Sequence, residues 1–235
     1  MNKNTFAVKI KEYLHFHVAA YGTATKLKQL LDNCGSVDVI NKENQTLLHV
    51  AVNRGNFEII RMLIDHSINV DSADKDGQTA LHIAAEKGYE EITQILINAG
   101  SSLCIKNKNG KNPLDLAQQQ KNSTALVISN SIRHKFLHAI HCGDRQHVIQ
   151  WLSEDVHTSL DAALHLATVN NDSSMVSLLL SQNVSVSCIG QEGKIPLHIA
   201  AANGNLNILQ LLLSKFPDLD VQDYVQYNTL KQLKD

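Results

Sequence analysis

One stretch of the chain decides the fold, and it reads Asp74-Lys75-Asp76-Gly77-Gln78-Thr79-Ala80-Leu81-His82-Ile83-Ala84-Ala85-Glu86-Lys87-Gly88. Its central Leu-His-x-Ala motif occurs at His82 and also at His49, His165 and His198. The step from His49 to His82 equals the step from His165 to His198, and a weaker copy at Asp115 follows His82 by the same step. A fixed period of this size, about 33 residues, predicts a fold of stacked repeats.

The repeated residue types each have a physical role in such a repeat. Gly77 and its counterparts suit a tight turn with positive φ. Thr79 stands where a hydroxyl can cap the first helix, and Gly88 stands where that helix ends and the chain reverses. Ile92 and Leu96 then lie on one face of a second helix that a neighbouring repeat must cover.

This pattern resembles the ankyrin repeat. The resemblance implies an all-α solenoid of stacked helix-turn-helix units, with short β-hairpin fingers between them. The first-helix glycines Gly22, Gly55 and Gly88 follow one another at the same period, so a degenerate repeat precedes the first clear one. We therefore expect seven to eight repeats in one ankyrin-repeat domain that covers residues 1–235.

The spacing fails between residues 121 and 161. The interval from Asp115 to His165 is about 16 residues too short for two full periods. An intervening copy has Leu137 at the histidine position and Gly143 at the end of its first helix. We interpret the deficit as shortened fingers at two successive junctions, with the helices kept. The alternative is a junction between two ankyrin blocks, residues 1–132 and 133–235.

Composition excludes several classes of function. The formal net charge is −2 and no basic stripe is present, so we expect no nucleic-acid partner. The chain has no apolar run long enough to span a membrane, and charges interrupt the N-terminal stretch too early for a signal peptide. Its four cysteines are far apart, which favours the reducing cytoplasm. The Asn-, Lys- and Ile-rich composition also resembles ankyrin effectors that intracellular bacteria deliver into the host cytosol.

The sequence carries no catalytic, phosphate-binding or cofactor-binding motif. We therefore expect no enzymatic activity and no cofactor. His134, His138 and His141 share one helical face and form a weak candidate for a metal site. A chance cluster of histidines is the preferred interpretation. The histidines of the Leu-His-x-Ala motif have a structural role in the family, since they bond neighbouring backbone and threonine groups.

The resemblance implies that another protein binds the concave face of a monomeric solenoid. In the family that face is formed by the finger tips and by the two residues before each first-helix glycine. The residues that match these positions here are Tyr21, Asn53, Arg54, Lys75, Asp76, Gln78, Glu86, Lys87, Lys108, Lys111, Gln119, Gln120 and His141. The function we expect is that of a protein-binding adaptor. The alternative is a targeting or regulatory domain of a larger protein, an enzyme or a bacterial effector, that is truncated at its C-terminus, because an eighth repeat would open near Tyr227.

Overall fold

The computed structural model describes residues 13–34, 36–153, 160–182, 184–190 and 193–215. These residues form thirteen helices. They are α1 (described over residues 13–21), α2 (Ala24–Cys34), α3 (Leu47–Arg54), α4 (Phe57–Asp65), α5 (Ala80–Lys87), α6 (Glu90–Asn98), α7 (Pro113–Gln120), α8 (Thr124–His141), α9 (Arg145–Ser153), α10 (Leu160–Val169), α11 (Ser173–Leu180), α12 (Pro196–Ala202) and α13 (Leu206–Leu213). Among the described residues no β-strand is present, and the predicted all-α repeat fold is confirmed.

The first helix of a repeat begins and ends where its sequence signals stand. Thr79 precedes α5 in extended conformation, and its backbone N–H donates a 3.1 Å hydrogen bond to Nδ1 of His82. Gly88 ends α5 with φ of 71°, a left-handed conformation that a residue with a side chain adopts only with strain. Short helices of this kind are marginal alone, so these caps and the packing of neighbours hold them.

The core is built from nearest-neighbour packing of helices. α5 packs against α3 on one side, α7 on the other, and its own second helix α6. Ile92 and Leu96 of α6 are fully buried, as are Leu81 and Ala84 of α5. One helix pair cannot cover these apolar faces, so each pair depends on the next for its stability.

The fingers are tight turns joined to one another by backbone hydrogen bonds. We name the first finger (residues 41–45), the second finger (74–78) and the third finger (107–111). The Asp74 backbone N–H closes the second finger with a 2.9 Å bond to the Gln78 carbonyl oxygen, and Lys75 N–H bonds the Glu43 carbonyl oxygen of the first finger at 2.9 Å. An isolated antiparallel bridge joins Ile40 and Thr46 beside the first finger.

The irregular region differs from the expected pair of helices with a shortened finger. Helix α8 runs without interruption over 18 residues, so it joins the second helix of one repeat to the first helix of the next. No finger remains at this junction, and residues 124–141 contain no glycine or proline to end the helix. The second expected short finger falls on residues 154–159, which lie outside the described residues.

The chain divides into two compact units, residues 1–131 and 132–235. The core of the second unit includes Phe136, Ile140, Val148, Leu164 and Leu179, all fully or almost fully buried. The two ankyrin blocks with a boundary at residue 132 and the count of seven to eight repeats both stay predictions. The start of the proposed eighth repeat lies outside the described residues.

Candidate functional site

An exposed stack of aromatic and cationic side chains lies on the first helices of the first unit. The Arg54 guanidinium carbon lies 4.7 Å from the centroid of the Tyr21 ring. The His17 ring is 5.4 Å from Tyr21, and the Tyr13 ring is 6.2 Å from His17. Tyr13 and Tyr21 are 72% and 64% exposed, so the stack presents its rings to solvent. The structure therefore brings together Tyr21 and Arg54, which the sequence placed on one face.

Helical spacing explains how the stack extends beyond the predicted pair. Tyr13, His17 and Tyr21 follow one another at i, i+4 and i+8 on α1, so their side chains share one helical face. The sequence prediction missed Tyr13 and His17, because on the first helices it included only the two residues before each glycine. The regular spacing of the three rings was the signal that could have found them.

The remaining predicted residues at first-helix ends are exposed in the described structure. The Lys87 ammonium lies 5.8 Å from the Tyr89 ring centroid, which is a second cation–π contact. Five further residues at these positions are Asn53, Glu86, Gln119, Gln120 and His141, and each is exposed. His141 belongs to the second unit, and its carbonyl oxygen accepts a 3.4 Å hydrogen bond from the Asn170 amide.

The predicted finger residues are held by contacts between fingers and to first-helix ends. Lys75 forms a 3.3 Å ion pair with Glu43, although both side chains are at least half exposed. The Asp76 carbonyl oxygen accepts a 2.9 Å hydrogen bond from Lys108 N–H. The Lys111 ammonium donates a short hydrogen bond to the Gln119 side-chain oxygen. The last contact places a finger side chain beside a first-helix end.

Gln78 differs from the other finger residues because its backbone serves the repeat stack. It is only partly exposed, and its carbonyl oxygen lies 2.9 Å from Nε2 of His49 in the preceding repeat. His82 makes the equivalent 3.1 Å contact with the Lys111 carbonyl oxygen. The predicted structural role of His49 and His82 is confirmed. Burial lowers the pKa of both imidazoles below the ordinary value for histidine.

The histidine cluster on α8 is arranged differently from the sequence expectation. His134 and His138 line a shallow pocket of about 570 Å³ together with Cys142 and His147, whereas His141 does not line it. The Cys142 sulfur lies 3.7 Å from Nδ1 of His138. Within the described part of the chain, no three His, Cys, Asp or Glu side chains are grouped so that they could hold a metal ion.

His165 occupies the motif position in the second unit, but its surroundings differ. Ala162 stands where Thr79 caps α5, and it lies inside α10 because that helix begins earlier, at Leu160. Nδ1 of His165 therefore lies 2.9 Å from the Asp161 carbonyl oxygen, one turn back. The Cys188 sulfur is 3.4 Å from the same nitrogen, but burial raises the pKa of the thiol to about 11. This pair supplies no thiolate for nucleophilic chemistry near neutral pH.

An apolar groove of about 830 Å³ lies beside His165 in the second unit. Its apolar lining includes Leu137, Leu166, Val169, Ile189, Ile199 and Ala202. The sequence did not predict this groove. Leu137 at the histidine position was the signal, since it replaces a polar side chain with an apolar one.

Comparison with known proteins gives one family. The family description "Ankyrin repeats (3 copies)" matches residues 14–107, 71–133 and 136–223. No curated protein matches the sequence. None of the helices in the described ranges is both long and apolar enough to cross a membrane. Because the family matches cover well over half of the sequence and the helices follow the repeat, this chain belongs to the ankyrin-repeat family.

Proposed function

We propose that this chain is a protein-binding adaptor. Ankyrin repeats are generally protein–protein interaction modules. The surface we propose for binding is the finger-side surface of the first unit, which we define as Tyr21, Asn53, Arg54, Lys75, Asp76, Gln78, Glu86, Lys87, Lys108, Lys111, Gln119 and Gln120. The observation that carries the proposal is the exposed contact between Tyr21 and Arg54.

Tyrosine and arginine are among the residue types that are enriched at the binding hot spots of protein interfaces. Here the Arg54 guanidinium already contacts the Tyr21 ring, and the His17 ring also contacts Tyr21. A side chain that is positioned before binding loses less conformational entropy when a partner covers it. The stack is therefore suited to anchor a partner protein at the N-terminal end of the finger-side surface.

The test is an affinity capture with a matched control variant. Purified wild-type chain and the Tyr21→Ala, Arg54→Ala variant serve as baits in the same lysate, and captured proteins are quantified by mass spectrometry. The control carries Arg61→Ala and Glu91→Ala. These two residues form a 3.6 Å ion pair between second helices, and both side chains are 65% exposed. The control variant therefore loses an exposed contact of similar size that lies outside the proposed surface.

We expect a protein that is retained by the wild type and by the control but lost by the Tyr21, Arg54 variant. Equal unfolding midpoints of the three proteins would show that the loss of binding comes from the changed surface and not from unfolding of the variant. Capture that is equal for all three baits would contradict this surface, and capture by none would contradict the adaptor function.

We also propose that the chain is a cytoplasmic monomer. Cys142 and Cys188 are free thiols in the described structure, which suits a reducing compartment. A fluorescent fusion that enters the secretory pathway would contradict the location. A dimer mass in light scattering would contradict the monomer.

A further inference from the structure

The fingers form a backbone ladder in which each finger bonds to the next. Lys75 N–H of the second finger donates to the Glu43 carbonyl oxygen of the first finger. Lys108 N–H of the third finger donates in the same way to the Asp76 carbonyl oxygen, again at 2.9 Å. The next acceptor in this series is the Asn109 carbonyl oxygen, one repeat period after Asp76.

Among the described residues the ladder ends at the third finger, because α8 replaces the finger that would follow. Across the described ranges, no backbone N–H donates a hydrogen bond to the Asn109 carbonyl oxygen. A following finger fills the space beside the turn glycine of the finger before it. At Gly77, an added Cβ would lie 3.1 Å from the backbone N of Lys108 in the third finger. At Gly110, which has nearly the same φ, an added Cβ meets no atom within 4 Å. Within the described part of the chain, the third finger therefore has no neighbouring finger at Gly110, and we name this side the open edge.

This edge is basic. Residues 106–114 contain Lys106, Lys108 and Lys111 and no acidic residue. Lys106 and Lys108 are exposed, and Lys111 is partly exposed. Three carboxylates belong to the neighbouring segments. Asp74 and Asp76 lie in the second finger, and Asp115 of α7 is partly buried and accepts a hydrogen bond from Asn112 N–H. Every charged side chain within residues 106–114 is therefore positive, and all three are at least partly exposed.

Contacts within the ladder show which chemistry complements such an edge. The ion pair of Glu43 with Lys75 joins the first finger to the second, so an acid on one finger meets a lysine on its neighbour. An acidic segment beside the third finger would repeat this arrangement with the charges reversed. Its backbone N–H could supply the donor that the Asn109 carbonyl oxygen lacks.

We propose that the open edge of the third finger binds an acidic segment of a partner protein, which extends the finger ladder by one strand-like segment. The inference rests on the proposed adaptor function and adds the chemistry of the partner. A peptide fits better than a nucleic acid, because an extended peptide offers both carboxylates and backbone N–H donors. A phosphate backbone offers the charge alone.

The probe is a displayed library of random peptides, from which binders of the wild-type chain are selected and synthesised. We expect the selected peptides to be enriched in Asp and Glu. The Lys106→Glu, Lys108→Glu variant should bind them at least about tenfold more weakly at low ionic strength. The matched control, Lys26→Glu with Lys28→Glu, makes the same charge change at two exposed lysines of α2 and should keep the wild-type affinity.

Two further variants separate ladder docking from simple charge attraction and from changes outside the finger-side surface. Gly110→Ala changes no charge but places a methyl group in the open space, so it should weaken peptide binding several-fold. The Arg61→Ala, Glu91→Ala variant should bind the peptides normally, because that exposed ion pair joins second helices and lies outside the finger-side surface. Unfolding measured by circular dichroism verifies that each variant is folded.

Selected peptides without an acidic bias, or with equal affinity for the Lys106, Lys108 variant, would overturn the inference. So would Gly110→Ala binding as tightly as the wild type, since docking along the ladder would then be excluded. Tighter binding of a single-stranded oligonucleotide through the same lysines would replace the proposal with a nucleic-acid site. Failure of the Tyr21, Arg54 capture test together with peptide binding at the third finger would overturn the aromatic surface and still support this edge.

Discussion

The backbone N–H of Lys108 donates a 2.9 Å hydrogen bond to the carbonyl oxygen of Asp76, one repeat earlier. This contact places the backbone of the third finger against Gly77 of the second finger. Gly110 occupies the equivalent turn position in the third finger, with φ of 71° against 74° at Gly77. The two glycines thus share a conformation but differ in their neighbours, which makes them a matched pair for mutation.

Gly77→Ala is expected to destabilise the protein more than Gly110→Ala. Both changes place a side chain at positive φ, at a cost of about 1–2 kcal/mol. At Gly77 the added methyl group also crowds the third finger, which should cost at least about 1 kcal/mol more. Urea unfolding of the two variants measures the difference. Equal losses of stability would show that the fingers separate at little cost.

Acid should destabilise the folded chain through His49 and His82. Burial lowers the pKa of both imidazoles in the folded state, whereas in the unfolded chain the value is about 6.5. The unfolded state therefore binds more protons below that pH, and the free energy of unfolding falls as pH falls. The slope cannot exceed about 1.4 kcal/mol per pH unit for each histidine.

Urea unfolding at about pH 7.5 and at about pH 5.5 measures this slope, and His82→Gln should be less stable at both but less sensitive to acid. The stability that the neutral histidines provide is present above about pH 6.5 and is lost below it. A wild-type protein that is as stable at the lower pH as at the higher one would rule out this mechanism.

Lys121→Gly should stabilise the protein. Lys121 ends α7 with φ of 53°, at the position where Gly88 ends α5. A glycine adopts this conformation without the steric cost, so the expected gain is about 0.5–1 kcal/mol. Gln118→Gly is the control, since Gln118 is exposed and lies inside α7, where glycine should cost about 0.5–1 kcal/mol. Thermal unfolding measures both variants, and a change in unfolding temperature of the same sign in both would contradict the prediction.

Thr93→Val should also stabilise the protein. Thr93 is fully buried on α6, and within the described ranges its hydroxyl has no hydrogen-bond partner. Valine has the same shape without the polar group, so we expect a gain of about 1 kcal/mol. Thr168 is equally buried, but its hydroxyl donates a 2.7 Å hydrogen bond to the Leu164 carbonyl oxygen.

Thr168→Val is therefore the control for Thr93→Val. Thr168→Val should leave the free energy of unfolding unchanged or lower it by up to about 1 kcal/mol, because a satisfied hydrogen bond is removed. Chemical unfolding of both variants tests the contrast. Loss of stability in Thr93→Val would mean that its hydroxyl is satisfied by water in solution.

The regular part of the fold could be predicted because its signals are local. Thr79 and Gly88 mark the two ends of α5, and Ile92 with Leu96 marks the buried face of α6. Caps and apolar periodicity act within one or two helical turns, so they can be read from the sequence without knowing the neighbours. The constant repeat period then extends each assignment to the other repeats.

The candidate site could be predicted only in part. Periodicity placed Tyr21 and Arg54 on one face, because they are one repeat period apart. It could not show that Arg54 lies over the Tyr21 ring or that Tyr13 and His17 extend the stack. Such contacts depend on side-chain rotamers and on the distance between neighbouring helices, which sequence spacing does not specify.

The sequence by itself determined the family, the pairing of helices and the face that carries the exposed polar residues, because these follow from local propensity and a repeated period. Tertiary structure alone decided that the junction near Leu137 keeps no finger and that α8 is continuous. A missing stretch of sequence is compatible with either a short turn or an unbroken helix. The choice depends on how Phe136 and Ile140 are buried, since packing of that face stabilises whichever conformation places both side chains in the core.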